Sequence, residues 1–68
     1  MDMRTYLHSV TPDERLRLAN ELGTSVNYFF QIAGGHRKAS FTLAKRLEKA
    51  TNGVLRKESL RPDIFSND

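Results

Sequence analysis

Apolar residues recur at helical spacing along most of this 68-residue chain. Residues three or four positions apart share one face of a helix, so each such stripe predicts an amphipathic helix. The stripes consist of Met3, Leu7 and Val10, then Leu18, Ala19 and Leu22, then Phe29 and Ile32, and finally Leu43, Ala44, Leu47 and Ala50. Strand-like alternation is missing apart from a short extended candidate at Val54-Leu55. The pattern predicts an all-α fold of four to five helices.

Residues that start or stop helices set the bounds of these elements. In Thr11-Pro12-Asp13-Glu14 the threonine is a predicted N-cap, the proline suits the first helical position, and the glutamate completes a capping box. Gly23 suits a corner that needs a positive φ, so we expect the second helix to end after Leu22. The other signals predict a first helix over residues 2–9 and a further helical turn over residues 56–60. The third helix is predicted to be capped by Thr24 or Ser25 and ended by Gly34-Gly35. The fourth is predicted to be capped by Ser40 and ended by Asn52-Gly53.

Residues 12–34 have the pattern of a helix-turn-helix. Two helices joined by so short a turn must cross steeply, and the small Ala19 lets their backbones approach. The second helix of this motif lies in the DNA major groove. On a helical wheel Asn27 and Gln31 face outward, where an amide matches the N6/N7 edge of adenine, and Val26 at the helix start can meet a thymine methyl. We predict base contacts from these three residues; for the two amides the alternative is ordinary solvated helix polarity.

Two aromatic residues of the third helix each have two interpretations. Tyr28 either completes the core or reaches a phosphate through its hydroxyl. Phe30 either completes the core or faces outward, where its ring needs a thymine methyl, a deoxyribose or a neighbouring side chain to cover it.

Charge is unevenly distributed along the chain, whose net charge is +3. Residues 37–61 carry eight basic against two acidic side chains, a balance of +6, whereas residues 1–36 have a balance of −1. This asymmetry indicates a polyanion partner, and the alternative is a solvated basic surface. Lys45, Arg46 and Lys49, on the polar face of the fourth helix, are assigned to solvation.

Contacts with the DNA backbone are predicted from the loop before the fourth helix. Backbone N–H groups near Ser40 point at an anion, and charged side chains beside them add to the attraction. The predicted backbone-contacting residues are Ser25, Tyr28, His36, Arg37, Lys38 and Ser40.

Several classes of protein are excluded by the composition. The chain has no Cys, and its two His lie far apart, so we predict neither a disulfide nor a metal or other cofactor. Gly34-Gly35 lacks the Lys-Ser/Thr of a phosphate loop, and no nucleophile lies near a base, so we expect neither an enzyme nor a small-molecule substrate. Apolar runs are too short for a membrane span or a signal peptide, which indicates a soluble, cytoplasmic protein.

A domain of this size lies near the lower limit for a single hydrophobic core, so a homodimer is expected. The domain is assigned to residues 1–68, with a C-terminal tail at 54–68. The apolar residues of that tail either fold back on the core or contact a second subunit.

Two sets of residues resemble known families. Residues 12 to about 53 resemble the lambda-repressor-like helix-turn-helix family through Leu18-Ala19, Leu22-Gly23-Thr24-Ser25, Tyr28-Phe29-Phe30-Gln31-Ile32 and Arg37-Lys38-Ala39-Ser40. The ending Thr51-Asn52-Gly53-Val54, followed by Leu60-Arg61-Pro62-Asp63-Ile64-Phe65, resembles the Cro/YdaS-like prophage regulators, in which an LRPD ending follows the last helices.

The resemblance implies a compact fold and a dimeric repressor of phage or prophage origin, which binds a pseudo-palindromic DNA operator at the bacterial nucleoid. The family's base-contacting positions fall on Val26, Asn27 and Gln31, and its backbone-contacting positions on Ser25, Tyr28 and the loop through Lys38. Relatives often carry a small or polar residue in place of Phe30. They also often carry charged residues before the loop, whereas the third helix of this chain ends in Gly34-Gly35. Some YdaS-like proteins are antitoxins, so the alternative is an antitoxin or protein-interaction module whose tail, Leu60–Phe65, masks a toxin.

Overall fold

The computed structural model describes residues 1–65 of the chain. This part of the chain contains five helices and no strand, which confirms the all-α prediction. The helices are α1 (Met3–Ser9), α2 (Pro12–Glu21), α3 (Val26–Ala33), α4 (Phe41–Ala50) and α5 (Lys57–Leu60). Val54 and Leu55 form a bend instead of the extended piece expected. Residues 66–68 of the predicted tail lie outside the described residues.

Polar side chains begin the first four helices. Each accepts a hydrogen bond from the backbone N–H three residues ahead, which satisfies one of the donors left unpaired at a helix start. The four caps are Asp2, Thr11, Ser25 and Ser40. The expected capping box at α2 forms only by half, because the Glu14 carboxylate accepts hydrogen bonds from Arg17. Ser25, not Thr24, caps α3.

Three helices end in the same hydrogen-bonded turn. At the end of α2, Gly23 has a φ of 69°, and the Thr24 N–H donates to the Ala19 carbonyl at 2.9 Å. At the end of α3, Gly35 has a φ of 81°, and the His36 N–H donates to the Gln31 carbonyl at 2.9 Å. These are Schellman turns, in which a left-handed residue closes the helix. The third follows α4, with Asn52 in the left-handed position.

The core draws one large side chain from each main segment of the fold. The largest fully buried side chains are Phe29, Leu7, Leu18, Leu47 and Leu55. Helices α1 and α2 pack against α3, and α5 packs against α4. Ala19 is fully buried, as expected for a residue that lets two helices approach. This packing fixes α3 by its buried edge and leaves the opposite edge outward.

The tail folds back on the domain, as one of the two expectations had it. Leu55 belongs to the core, and Leu60 packs against it. The Phe65 ring stacks on Phe41 with a centroid distance of 5.1 Å. Val54 and Ile64 remain exposed. Most of the tail is therefore part of the folded domain.

Candidate nucleic-acid interface

The outward edge of α3 carries the two amides singled out from the sequence. Phe29 is fully buried and fixes the inner edge of the helix. Asn27 is exposed and Gln31 is half-buried. Since these two residues are four apart, their side chains lie next to each other on one helix face. The arrangement offers two adjacent amides, each able to donate and to accept a hydrogen bond.

The first turn of α3 is partly engaged in holding the domain together. Val26 is half-buried and packs against the core, so only part of its side chain faces outward. Tyr28 is also half-buried. The exposed Ser25 accepts a hydrogen bond from the Tyr28 N–H at 3.1 Å. That bond uses the hydroxyl as an acceptor and leaves its O–H free to donate to a phosphate.

Phe30 lies outside the core, on the side of α3 that faces α1 and α2. Its side chain is 39% exposed. The His8 ring meets it edge-on with a centroid distance of 6.3 Å, and the Arg15 guanidinium carbon lies 5.6 Å from the ring centroid. Arg15 also donates to the Leu7 carbonyl at the end of α1. Neighbouring side chains therefore cover the ring, one of the outward alternatives left open by the sequence.

The loop after α3 is attached directly to this helix. The carbonyl of Gln31 accepts hydrogen bonds from the N–H groups of both His36, at 2.9 Å, and Arg37, at 3.3 Å. The His36 ring lies close to Gly34, where an added Cβ would come within 3.1 Å of it. The Schellman turn thus places the predicted backbone-contacting loop beside the predicted base-contacting residue.

Two cations of this loop point into solvent. Arg37 and Lys38 are exposed, and neither makes an ion pair within the described part of the chain. The next residue, Ala39, is fully buried and anchors the loop. Ser40 then caps α4 by accepting from the Leu43 N–H at 3.1 Å, and the first N–H groups of the helix have no acceptor within it. The loop presents positive charge next to a helix N-terminus.

The basic residues of α4 have other partners. The Lys45 ammonium lies 5.2 Å from the centre of the Phe41 ring. Arg46 donates to the Leu22 carbonyl at 3.4 Å, which links α4 to the turn between α2 and α3. Both side chains are exposed, as is Lys49.

Sequence reasoning missed two residues that touch this region, Arg61 and Asp63. Arg61 donates to the Ala39 carbonyl at 2.8 Å across 22 positions of sequence. It also donates to both oxygens of Asp63, at 3.0 Å and 2.8 Å. Arg61 lowers the pKa of the Asp63 carboxyl from 3.8 to about 2, with a smaller effect from Lys38. The signal in the sequence was the pair of opposite charges on either side of Pro62. This pair indicates an Arg61–Asp63 ion pair but not the hydrogen bond from Arg61 to Ala39.

Residues 1–65 contain no cluster of three or more potential metal ligands. None of the helices in this range is long and apolar enough to cross a membrane.

Comparison with known proteins gives a relative of nearly the same length. The chain is 41% identical over 66 residues to a protein of Escherichia coli K12 described as a prophage transcriptional regulatory protein. The match covers 97% of this chain and 100% of that relative. No family model matches the chain.

Proposed function

The chain belongs to a family of prophage transcriptional regulators, and from this membership we propose that it is a Cro-like repressor that binds double-stranded DNA sequence-specifically. The family implies a regulatory, non-enzymatic role. The repressor would act by occupying an operator, which requires no chemistry beyond binding.

One observation carries the proposal: the Gln31 carbonyl holds the basic loop against the helix whose outward edge carries Asn27 and Gln31. An α-helix with its side chains is about 10–12 Å in diameter, and the major groove is about 12 Å wide, so α3 can lie in it. The two amides then meet base edges, with the exposed part of Val26 beside them. The loop and the serine hydroxyls lie at the groove edge, where phosphates run.

The phosphate contacts are assigned to six residues: Ser25, Tyr28, His36, Arg37, Lys38 and Ser40. Arg37 and Lys38 are exposed and without ion pairs in the described residues, so no carboxylate needs to be displaced when a phosphate binds. The N–H groups in the first turn of α4 add donors of fixed direction. These contacts supply affinity and register, and the amides of α3 supply sequence preference.

The operator is proposed to be a pseudo-palindrome bound by a homodimer. The domain measures 37 × 25 × 21 Å along its principal axes. Half-sites on one face of B-DNA lie about 34 Å apart, one helical turn. The centres of two touching copies lie about one molecular diameter apart, which is compatible with this spacing.

The first experiment is the selection of bound duplexes from a random DNA pool at about 0.15 M salt, where the screening length is about 8 Å. We expect the selected duplexes to share a palindrome whose half-sites lie about one turn of the DNA helix apart. Recovery of no motif, with weak binding that disappears as salt rises, would leave only non-specific electrostatic attraction and contradict the proposal.

Substitutions at the α3 amides test the base contacts on the recovered duplex. Asn27→Ala and Gln31→Ala should each cost about 1–3 kcal/mol of binding on that duplex and little on a mixed-sequence one. Asn20→Ala is a matched control, because Asn20 is an exposed asparagine on α2. Equal losses for Asn20→Ala and Asn27→Ala would refute the assignment.

Arg37→Ala should behave differently from the amide variants. Loss of one phosphate contact weakens binding to both duplexes and reduces the slope of log K against log salt by about 0.9. Arg56→Ala removes the same charge beyond the far end of α4, a helix of ten residues and about 15 Å, and serves as the control. A slope that stays unchanged in Arg37→Ala would exclude a phosphate contact by this residue.

A further inference from the structure

A fork of hydrogen bonds connects the tail to the loop before α4. The Arg61 side chain is 17% exposed, and three of its N–H groups are occupied by the Ala39 carbonyl and the Asp63 carboxylate. The two oxygens of Asp63 accept two parallel hydrogen bonds from the Arg61 guanidinium, and this bidentate geometry fixes the orientation of the guanidinium. The third bond reaches a carbonyl between the basic loop and the cap of α4.

The peptide group whose carbonyl accepts this hydrogen bond from Arg61 joins Ala39 to Ser40. In a trans peptide the carbonyl and the following N–H point in opposite directions. Because Arg61 draws the Ala39 carbonyl towards the tail, the Ser40 N–H points away from the tail. The same bond and the full burial of Ala39 together fix the backbone directly after Lys38.

We propose that Arg61, oriented by Asp63, is a positioning residue for DNA binding, which holds Lys38 and the start of α4 in the geometry that receives a phosphate. The inference rests on the proposed function. It assigns the Arg-Pro-Asp segment of the tail a task in DNA binding without a contact to DNA.

Two facts distinguish positioning from direct contact. Arg61 has most of its donors occupied and a charge already paired with Asp63, so little of it is available to a phosphate. Asp63 lies near enough to Lys38 for that cation to stabilise its charge. The Asp63 carboxylate at this position repels DNA phosphates. Its presence is therefore explained by its hydrogen bonds to Arg61 and not by a contact with DNA.

The sign of the effect of Asp63→Ala is the test. This variant adds one unit of positive charge and frees Arg61, which by charge alone strengthens DNA binding. Positioning predicts the opposite: binding to the selected duplex about tenfold weaker, equivalent to about 1.4 kcal/mol. Glu21→Ala is the matched control, because Glu21 is an exposed carboxylate paired with Arg17 on α2 and its loss adds the same charge.

A double-mutant cycle shows whether the effect passes through the loop. In the Arg37→Ala, Lys38→Ala background, Asp63→Ala should lose part of its tenfold effect, since the Lys38 side chain that it positions is absent while the start of α4 remains. Arg61→Lys, which keeps the charge but not the fork, should bind as weakly as Asp63→Ala. All variants are compared at temperatures where circular dichroism shows them folded, so that general unfolding does not enter.

The outcomes separate this inference from the proposed function. If the wild type selects a duplex and Asp63→Ala binds it as tightly as Glu21→Ala or more tightly, the positioning role is overturned and the repressor function stands. Full effect of Asp63→Ala in the loop-variant background also overturns it. If the wild type selects no duplex, both conclusions fail together.

Discussion

At the scale of single residues, polar side chains at helix ends hold the neighbouring chain segments in place. Thr51 donates to the Leu47 carbonyl at 2.7 Å and accepts from the Leu55 N–H at 3.0 Å, so one buried hydroxyl joins α4 to the tail. Glu48 accepts from the Lys57 N–H at 3.1 Å and thereby starts α5, whose own preceding residue makes no side-chain cap. In each case a polar group of one segment satisfies the backbone of another.

The Arg61–Asp63 pair predicts a dependence of stability on acid pH. The pKa of Asp63 is lowered from 3.8 to about 2 in the folded chain. A carboxyl with a lowered pKa stabilises the fold above its unfolded pKa, and the contribution is lost as pH falls through the folded pKa. The melting temperature of the wild type minus that of Asp63→Asn should be constant above about pH 5 and shrink from about pH 4 towards 2. A difference that grows with acidification would contradict this sign.

At the scale of elements, the turn between α2 and α3 sets the angle at which α3 is presented. The turn closes through Gly23 in the left-handed region, and Arg46 of α4 holds the preceding Leu22 carbonyl. The same closure at Gly35 directs the chain into the basic loop. Both turns are therefore as important to the site as the side chains they place.

Gly23→Ala tests the first of these turns. An added Cβ would meet nothing within 4 Å, so the expected loss of about 1–2 kcal/mol comes from the backbone conformation alone. Gly34→Ala is the control, because its φ of −85° suits any residue and its nearest contact is the movable His36 ring. We expect Gly34→Ala to change the free energy of unfolding by less than about 0.5 kcal/mol in urea titrations. Equal effects of the two substitutions would show that strain at Gly23 is not the cause.

At the scale of the whole molecule, the tail cannot be separated from the domain. Leu55 is fully buried among residues of the core, and Leu60 packs on the same cluster. Removal of everything after Gly53 would expose this core, so truncation there tests folding rather than partner binding. Within the described residues, the exposed side chains of the tail, which include Val54 and Ile64, are available to a partner without unfolding.

Two neighbouring substitutions test this role of the tail. Leu55→Ala should cost about 2–5 kcal/mol, because it leaves a cavity in the core. Val54→Ala should cost less than about 0.5 kcal/mol, since Val54 is 45% exposed. Urea unfolding with an unchanged m-value measures both. A loss at Leu55 no larger than that at Val54 would show that the tail is dispensable for the fold.

Local sequence rules predicted the elements well because the groups that decide them lie within a few residues. Helix starts at Thr11 and Ser40, and the stop at Gly23, depend on hydrogen bonds spanning three to five positions. Errors arose where a distant or competing partner intervened. The expected capping box is such an error, because Arg17 donates to the Glu14 carboxylate. For Phe30 the sequence left the alternatives open, and contacts of its ring with His8 and Arg15 decided between them.

The sequence by itself determined the all-α class, the bounds of four helices to within about one residue, and the outward placement of Asn27, because periodicity and caps are local properties. Only the tertiary structure decided that Gln31 holds the basic loop, that Leu55 enters the core, and that Arg61 grips Ala39. Such long-range partners depend on how the helices cross and on where each chain segment returns. No spacing in the sequence specifies a contact across 22 residues, because the folded core must first bring its two ends together.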